Sequence, residues 1–184
     1  MDLKKQLIKV VRERSFLKNE KPVYRLSSGM MSNFYFDLRN TTLSPEGQYL
    51  IGNLFCEKLK ELGLKPKAIG GLTMGADPVA SAAAYASYER GNPVEAFVIR
   101  KEPKSHGLMR QIEGNVKAGD DVVVIDDVVT TGKSTIMAIE AARKEGLKII
   151  AVIALLDRCE QNGRENIEKT GHPFYSILTI RDFE

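Results

Sequence analysis

Apolar residues recur at helical spacing twice in the first third of the chain. Leu3, Leu7, Ile8 and Val11 share one face of a helix over residues 3–14, and Tyr49, Leu50, Leu54, Leu59 and Leu62 do so over 46–62. Between them, the segment from Tyr24 to Asp37 places a turn-forming Ser27-Ser28-Gly29 between two short stretches suited to strands, which predicts a hairpin near the edge of the domain. From residue 68 the pattern changes. Short apolar runs at 68–72, 94–99, 121–126 and 149–156 alternate with helical stretches, notably 77–90 and 133–145. This alternation predicts βαβ units, hence an α/β fold with a mainly parallel central sheet flanked by helices. Ligands of such sheets bind beyond the carboxyl ends of the strands, so the residues just after each run are where chemistry is expected.

Composition narrows the classes without choosing among them. A chain of 184 residues, 43% hydrophobic and 28% charged, suits one folded domain with a substantial core. The net charge of +3 is small and its basic residues are dispersed, so no nucleic-acid partner is expected. Cys56 and Cys159 stand far apart and neither belongs to a CxxC pair, which argues against a metal cluster or a disulfide framework. The N-terminus is amphipathic and not a signal peptide, and no apolar run approaches the roughly 20 residues of a membrane span. The expectation is a cytoplasmic protein with no membrane partner.

The strongest local signal is Val122-Val123-Val124-Ile125-Asp126-Asp127-Val128-Val129-Thr130-Thr131-Gly132-Lys133-Ser134-Thr135, a buried-type strand running into paired carboxylates, a hydroxyl-rich turn and a helix. Such a turn suits a sugar phosphate. Free amides at a helix start, with the hydroxyls of Thr131, Ser134 and Thr135, would cradle the phosphate, and Asp126 and Asp127 would face the ribose hydroxyls. Helix capping alone would also place Asp and Thr here, but two adjacent carboxylates at a buried strand end repel each other and need compensation. A P-loop is excluded by spacing, since its first glycine would fall at Asp127. The stretch resembles the type I phosphoribosyltransferase family, whose motif for 5-phospho-α-D-ribosyl 1-diphosphate (PRPP) is an apolar strand, two acidic residues and a Thr-Thr-Gly-type loop. The resemblance implies PRPP contacts from Asp126, Asp127, Val128, Val129, Thr130, Thr131, Gly132, Lys133 and Ser134. Lys133 replaces a small residue often found there, and reads either as a solvated side chain or as an auxiliary phosphate contact.

Residues 100–114 follow an apolar run and combine Pro, Gly and clustered cations. A closing loop of this kind stabilises a departing pyrophosphate and excludes water from a reactive ribose. Arg100-Lys101, Lys104 and His106-Gly107 resemble the RKxxKxHG loop of the orotate phosphoribosyltransferase subfamily. In that subfamily the loop reaches the active site of the partner subunit, which implies a homodimer that shares it. Lys104 and His106, with Asp126 and Asp127, become the catalytic candidates; Arg100, Lys101, Lys104 and His106 become PRPP contacts.

Orotate differs from other pyrimidines by its carboxylate, so its pocket should offer a cation. Arg158, after the run 149–156, matches the subfamily's Asp-Arg pair that meets this carboxylate, although by itself an Asp-Arg ion pair at a strand end would be ordinary. Thr130 matches a base contact, and Phe34 and Tyr35 match an aromatic hood over the base. The resemblance further implies Mg²⁺, held mainly by PRPP oxygens and water because this ion dehydrates reluctantly, with no protein ligand assigned. The arrangement implied is a single domain over 1–184, with a hood mainly from 1–45 and a PRPP-binding core at about 65–160. Two departures stand out: Ser27 replaces a lysine common before Ser28-Gly29, and Gly75, within the Gly-rich segment 70–78, stands where some members carry a lysine. Rival readings are a purine phosphoribosyltransferase, disfavoured by Arg158 and the basic loop, and a non-catalytic PRPP-sensing regulator, disfavoured by the low net charge.

Overall fold

The computed structural model describes residues 2–25, 29, 31–102 and 111–184. Helix α1 (Leu3–Arg14) starts at Asp2, whose carboxylate accepts from the backbone N–H groups of Lys4 and Lys5. Four short strands follow: β1 (Phe16–Lys18), β2 (Tyr24–Arg25), β3 (Met31–Ser32) and β4 (Phe34–Phe36). β2 and β3 pair antiparallel, as the hairpin expectation requires. β4 pairs with β1 instead, and β1 is too short for strand periodicity to reveal. Helices α2 (Arg39–Thr42) and α3 (Pro45–Glu61) complete this half, α3 being capped by Ser44 Oγ, which accepts from Gly47 N–H at 3.1 Å.

The second half runs β5 (Ala68–Leu72), α4 (Ala76–Glu89), β6 (Glu95–Ile99), β7 (Ile112–Gly114), β8 (Asp121–Val129), α5 (Lys133–Lys144), β9 (Lys148–Asp157), α6 (Gly163–Glu168), β10 (Phe174–Thr179) and a 3₁₀ turn (Ile180–Phe183). Each of the four predicted apolar runs is a strand, and both predicted helices form. The strands lie in the order β10-β9-β8-β5-β6-β7, all parallel except β7. The pattern did not anticipate β7 or β10: both are edge strands, β7 with three residues and β10 with Ser176 and Thr179 interrupting its apolar run.

Helices cover both faces, and β8 shows how. Val123 and Ile125 enter the core shared with α1, α3 and α4, whereas Val122 and Val124 enter the core shared with α5. From β5 the chain passes to β6 on one side and later returns to β8 on the other, so β5 and β8 flank the point where the topology reverses. Their pairing stops at Gly70 and Val124, while β8 stays paired to β9 as far as Val129. The strands therefore part just before Asp126 and open a crevice. Among the described residues no helix is long and apolar enough to cross a membrane.

Candidate active site

β8 continues three residues beyond the predicted run, so the two carboxylates lie within a strand and point to opposite faces. Asp126 turns toward α5. It is buried, one oxygen accepting from Asp127 N–H at 3.0 Å and the other from the Thr135 hydroxyl at 2.7 Å. Burial, then the charge of Asp127, pushes its acid up to about 8 against the lowering effect of the Thr135 hydrogen bond. Asp127 turns toward α4, and burial raises its acid too, with Arg39 among the groups opposing that rise. Strand alternation turns the two carboxylates to opposite faces: Asp127 borders the crevice and Asp126 is held from behind. Thr135, 1% exposed, turns inward, and its hydroxyl donates to Asp126 instead of facing a phosphate.

The two helices that start at the crevice lack side-chain caps. α5 follows Gly132, whose φ of 79° is a left-handed conformation suited to glycine. A Cβ there would also come within 3.0 Å of the Gly163 carbonyl oxygen. Thr131 is fixed at both ends, its hydroxyl accepting from Lys133 N–H and its carbonyl from Asn166 Nδ2. Lys133 and Ser134 are exposed, Thr130 is half-buried, and the Val129 side chain lies in the core with its carbonyl accepting from Arg158 N–H. Val128 is half-buried against the opposite core, so both valines could meet a ligand only through their backbone. α4 follows Gly75. A Cβ on Gly75 would lie 2.3 Å from an Asp127 carboxylate oxygen, so any side chain at this position requires that carboxylate to move. Nearby, Asp77 Oδ1 is buried without a hydrogen-bond partner among the described residues, and its acid is raised by burial and by Asp127.

Arg158 closes the other side. Its side chain is buried, with Nε and Nη2 donating to the two Glu160 carboxylate oxygens at 3.1 and 3.3 Å, and Nη2 also donating to Ser32 Oγ at 3.1 Å. Its guanidinium lies 5.9 Å from the Phe36 ring centre. Residues 126 positions apart thus join hood and core. The ordinary Asp157–Arg158 ion pair does not form, because Asp157 instead meets Arg164 at 3.3 Å. Phe34 and Tyr35 do not act as a pair. Phe34 stacks on Phe16 at 5.8 Å beside the core, and Tyr35, on the opposite face of β4, stacks on Tyr24 at 5.8 Å. Of the two, Tyr35 is turned away from the core.

Arg100 and Lys101 line a hollow of about 490 Å³ with Thr73, Val98, Glu102 and Glu113, at the carboxyl end of β6. Arg100 is paired with Glu113 at 3.1 Å. Lys104 and His106 lie outside the described residues, as do Ser27 and Ser28. Sequence reasoning missed Arg39, Asp77 and Glu160, and gave Thr135 a different task; a helical wheel would have turned Thr135 inward, but nothing local marks the others.

Comparison with known proteins places this geometry. A family model described as the phosphoribosyl transferase domain matches residues 43–177. A relative named orotate phosphoribosyltransferase, from Aquifex aeolicus, is 48% identical over 179 residues, covering 97% of this chain and 96% of the relative. The crystal structure of Mycobacterium tuberculosis orotate phosphoribosyltransferase with Fe(III) dicitrate is similar with a TM-score of 0.84 and 36% identity, covering 98% of both chains. The same enzyme solved with PRPP gives 0.80 and 34%, again covering 98% of both chains.

Proposed function

The chain belongs to the orotate phosphoribosyltransferase family, and from that premise we propose that it joins orotate to the ribose 5-phosphate of PRPP, giving orotidine 5′-phosphate and pyrophosphate on the route to UMP. The observation that carries the assignment is the buried Arg158 guanidinium, bonded to the hood through Ser32 and tied by its own N–H to the Val129 carbonyl just before the hydroxyl loop. A purine base offers no carboxylate for such a cation, whereas orotate does.

In this reading the start of α5, with Thr131, Gly132, Lys133 and Ser134, takes the 5′-phosphate on the first-turn amides that Thr131 Oγ1 leaves free. The start of α4 and the Gly-rich turn before it face the pyrophosphate. Asp127, with Asp126 locked behind it, accepts from the ribose hydroxyls. As the bond from the anomeric carbon to pyrophosphate breaks, positive charge gathers on the ribose and negative charge on the leaving group. Lys104 and His106 carry the charge of the departing pyrophosphate, joined by Arg100 and Lys101. Thr130 and Tyr35 border the base; Phe34 supports the hood from the core side.

Among the described residues no three potential ligand side chains converge on one point. We assign Mg²⁺ to the oxygens of PRPP and to water, where it screens the pyrophosphate charge. α3 and α4 pack together yet leave Tyr49, Tyr85 and Tyr88 exposed, an aromatic surface that suits a second copy and supports a homodimer. Cytoplasmic residence and a single domain over 1–184 complete the proposal.

The test is the loss of orotate's ultraviolet absorbance on adding the protein to PRPP and Mg²⁺, with uracil and adenine as control bases. Turnover of orotate alone, lost in Arg158→Ala, supports the reading. Turnover of adenine would transfer the assignment to a purine enzyme, and PRPP binding without chemistry would transfer it to a regulator, whose binding to nucleic acid would fall with salt.

A further inference from the structure

A buried guanidinium is costly unless a counter-ion accompanies it. Arg158, 3% exposed as a side chain, has one within its own loop: Glu160, 34% exposed, meets it along the Nε–Nη2 edge. That edge is one of the two on which arginine receives a carboxylate in paired bonds, and it holds one at a time. We infer that Glu160 is a stand-in for the substrate's carboxylate, neutralising Arg158 while the base site is empty and giving way when a carboxylate-bearing base enters. The inference rests on the proposed orotate chemistry and names how that site would choose its base.

The two partners differ in freedom. Arg158 is fixed by its N–H to the Val129 carbonyl, by Ser32 and by the Phe36 ring. Glu160 keeps access to water, and on either side of it Cys159 and Gln161 both have φ of 53°, followed by Asn162 at 55°. Non-glycine residues seldom adopt that conformation, and here it turns the Glu160 carboxylate back onto Arg158. Cys159 is held in it by donating its N–H to Asp157 Oδ1 at 2.8 Å. Rotation at these joints would swing Glu160 toward solvent while Arg158 stays in place. A base without a carboxylate has nothing to exchange: it must leave Glu160 where it is, or leave a buried cation unpaired. Selection of orotate over uracil then arises from a penalty against the wrong base as well as an attraction for the right one.

The experiment compares the intact protein with Glu160→Gln and Glu160→Ala, measuring orotate binding by calorimetry and steady-state rates with orotate and PRPP. Both variants remove the competing charge. The expected result is a fall of about tenfold in the orotate dissociation constant and KM, with kcat and the KM for PRPP changed by less than about twofold. An unchanged KM for orotate, or a raised one, overturns the inference, because Glu160 would then be a bystander or would hold Arg158 in place for a substrate bound at its other edge. A wild-type protein that neither binds nor converts orotate removes the functional reading itself, and the inference with it. An intact KM for PRPP in the variants separates these results from misfolding.

Discussion

Two pairs of helices begin in opposite ways. α1 and α3, which cover one face of the sheet away from the crevice, are capped by Asp2 and Ser44, so part of their free N–H groups is satisfied within the protein. α4 and α5 leave the two strands that flank the crevice and begin at Gly75 and Gly132, with no side-chain cap. Among the four longer helices, those that only pack are capped by their N-cap side chains and those that begin at the crevice are not, while the short α2 and α6 also lack such a cap. Capping is cheap to encode, as Ser44 shows, so its absence at the two helix starts beside the crevice supports the proposal that their donors serve another acceptor. The carboxylates divide similarly: those near the capped ends are surface groups, whereas Asp126 is buried, Asp127 is half-buried and both are raised.

The largest way to break this contrast is through pH. An acid raised in the folded state contributes stability that is fully present below the ordinary carboxylate range and is lost as pH rises through its folded value, here about 8 for Asp126. Wild-type protein should therefore lose on the order of 1–3 kcal/mol relative to Asp126→Asn between pH 5 and 9. Urea midpoints of both proteins across that range check it. Parallel curves would mean that the Asp126 charge is compensated in a way its two hydrogen bonds do not reveal. A smaller blow falls on Gly75→Ala. Its Cβ would displace the Asp127 carboxylate, and kcat/KM for PRPP should drop by about 100-fold with the fold intact by circular dichroism. Gly132→Ala combines a left-handed backbone with a close contact to Gly163, and should cost about 1–2 kcal/mol of stability along with weaker PRPP binding.

Much of this architecture was legible in the chain because buried parallel strands are continuous apolar runs and the motif between Asp126 and Ser134 sits directly after one of them. What escaped depends on phase or on distant partners. The opposite directions of Asp126 and Asp127 follow from strand alternation, but only once β8 is known to continue to Val129 through two charged residues. Phe34 and Tyr35 look like an adjacent pair in sequence, yet β4 sends one to Phe16 and the other to Tyr24. Glu160 meets Arg158 only because Cys159 is left-handed, which no propensity of cysteine would suggest. Ser32 reaches the same arginine across 126 positions, a pairing fixed by the hood's placement and by nothing local.

The smallest effect belongs to the capped side, and it sharpens the contrast by what it leaves alone. In Ser44→Ala the Gly47 N–H loses its acceptor, and the Ser44 hydroxyl no longer donates to the Thr41 carbonyl. Loss of such a cap costs about 1 kcal/mol, visible as a lower urea midpoint with an unchanged slope. Orotate turnover and the KM for PRPP should not move, since α3 contributes no donor to the crevice. If Ser44→Ala lowers kcat as Gly75→Ala does, the division between packing helices and ligand-facing helices fails. If instead stability falls and kinetics hold, the same kind of backbone group has been shown to serve structure at one helix start and chemistry at another, according to whether a side chain is there to claim it.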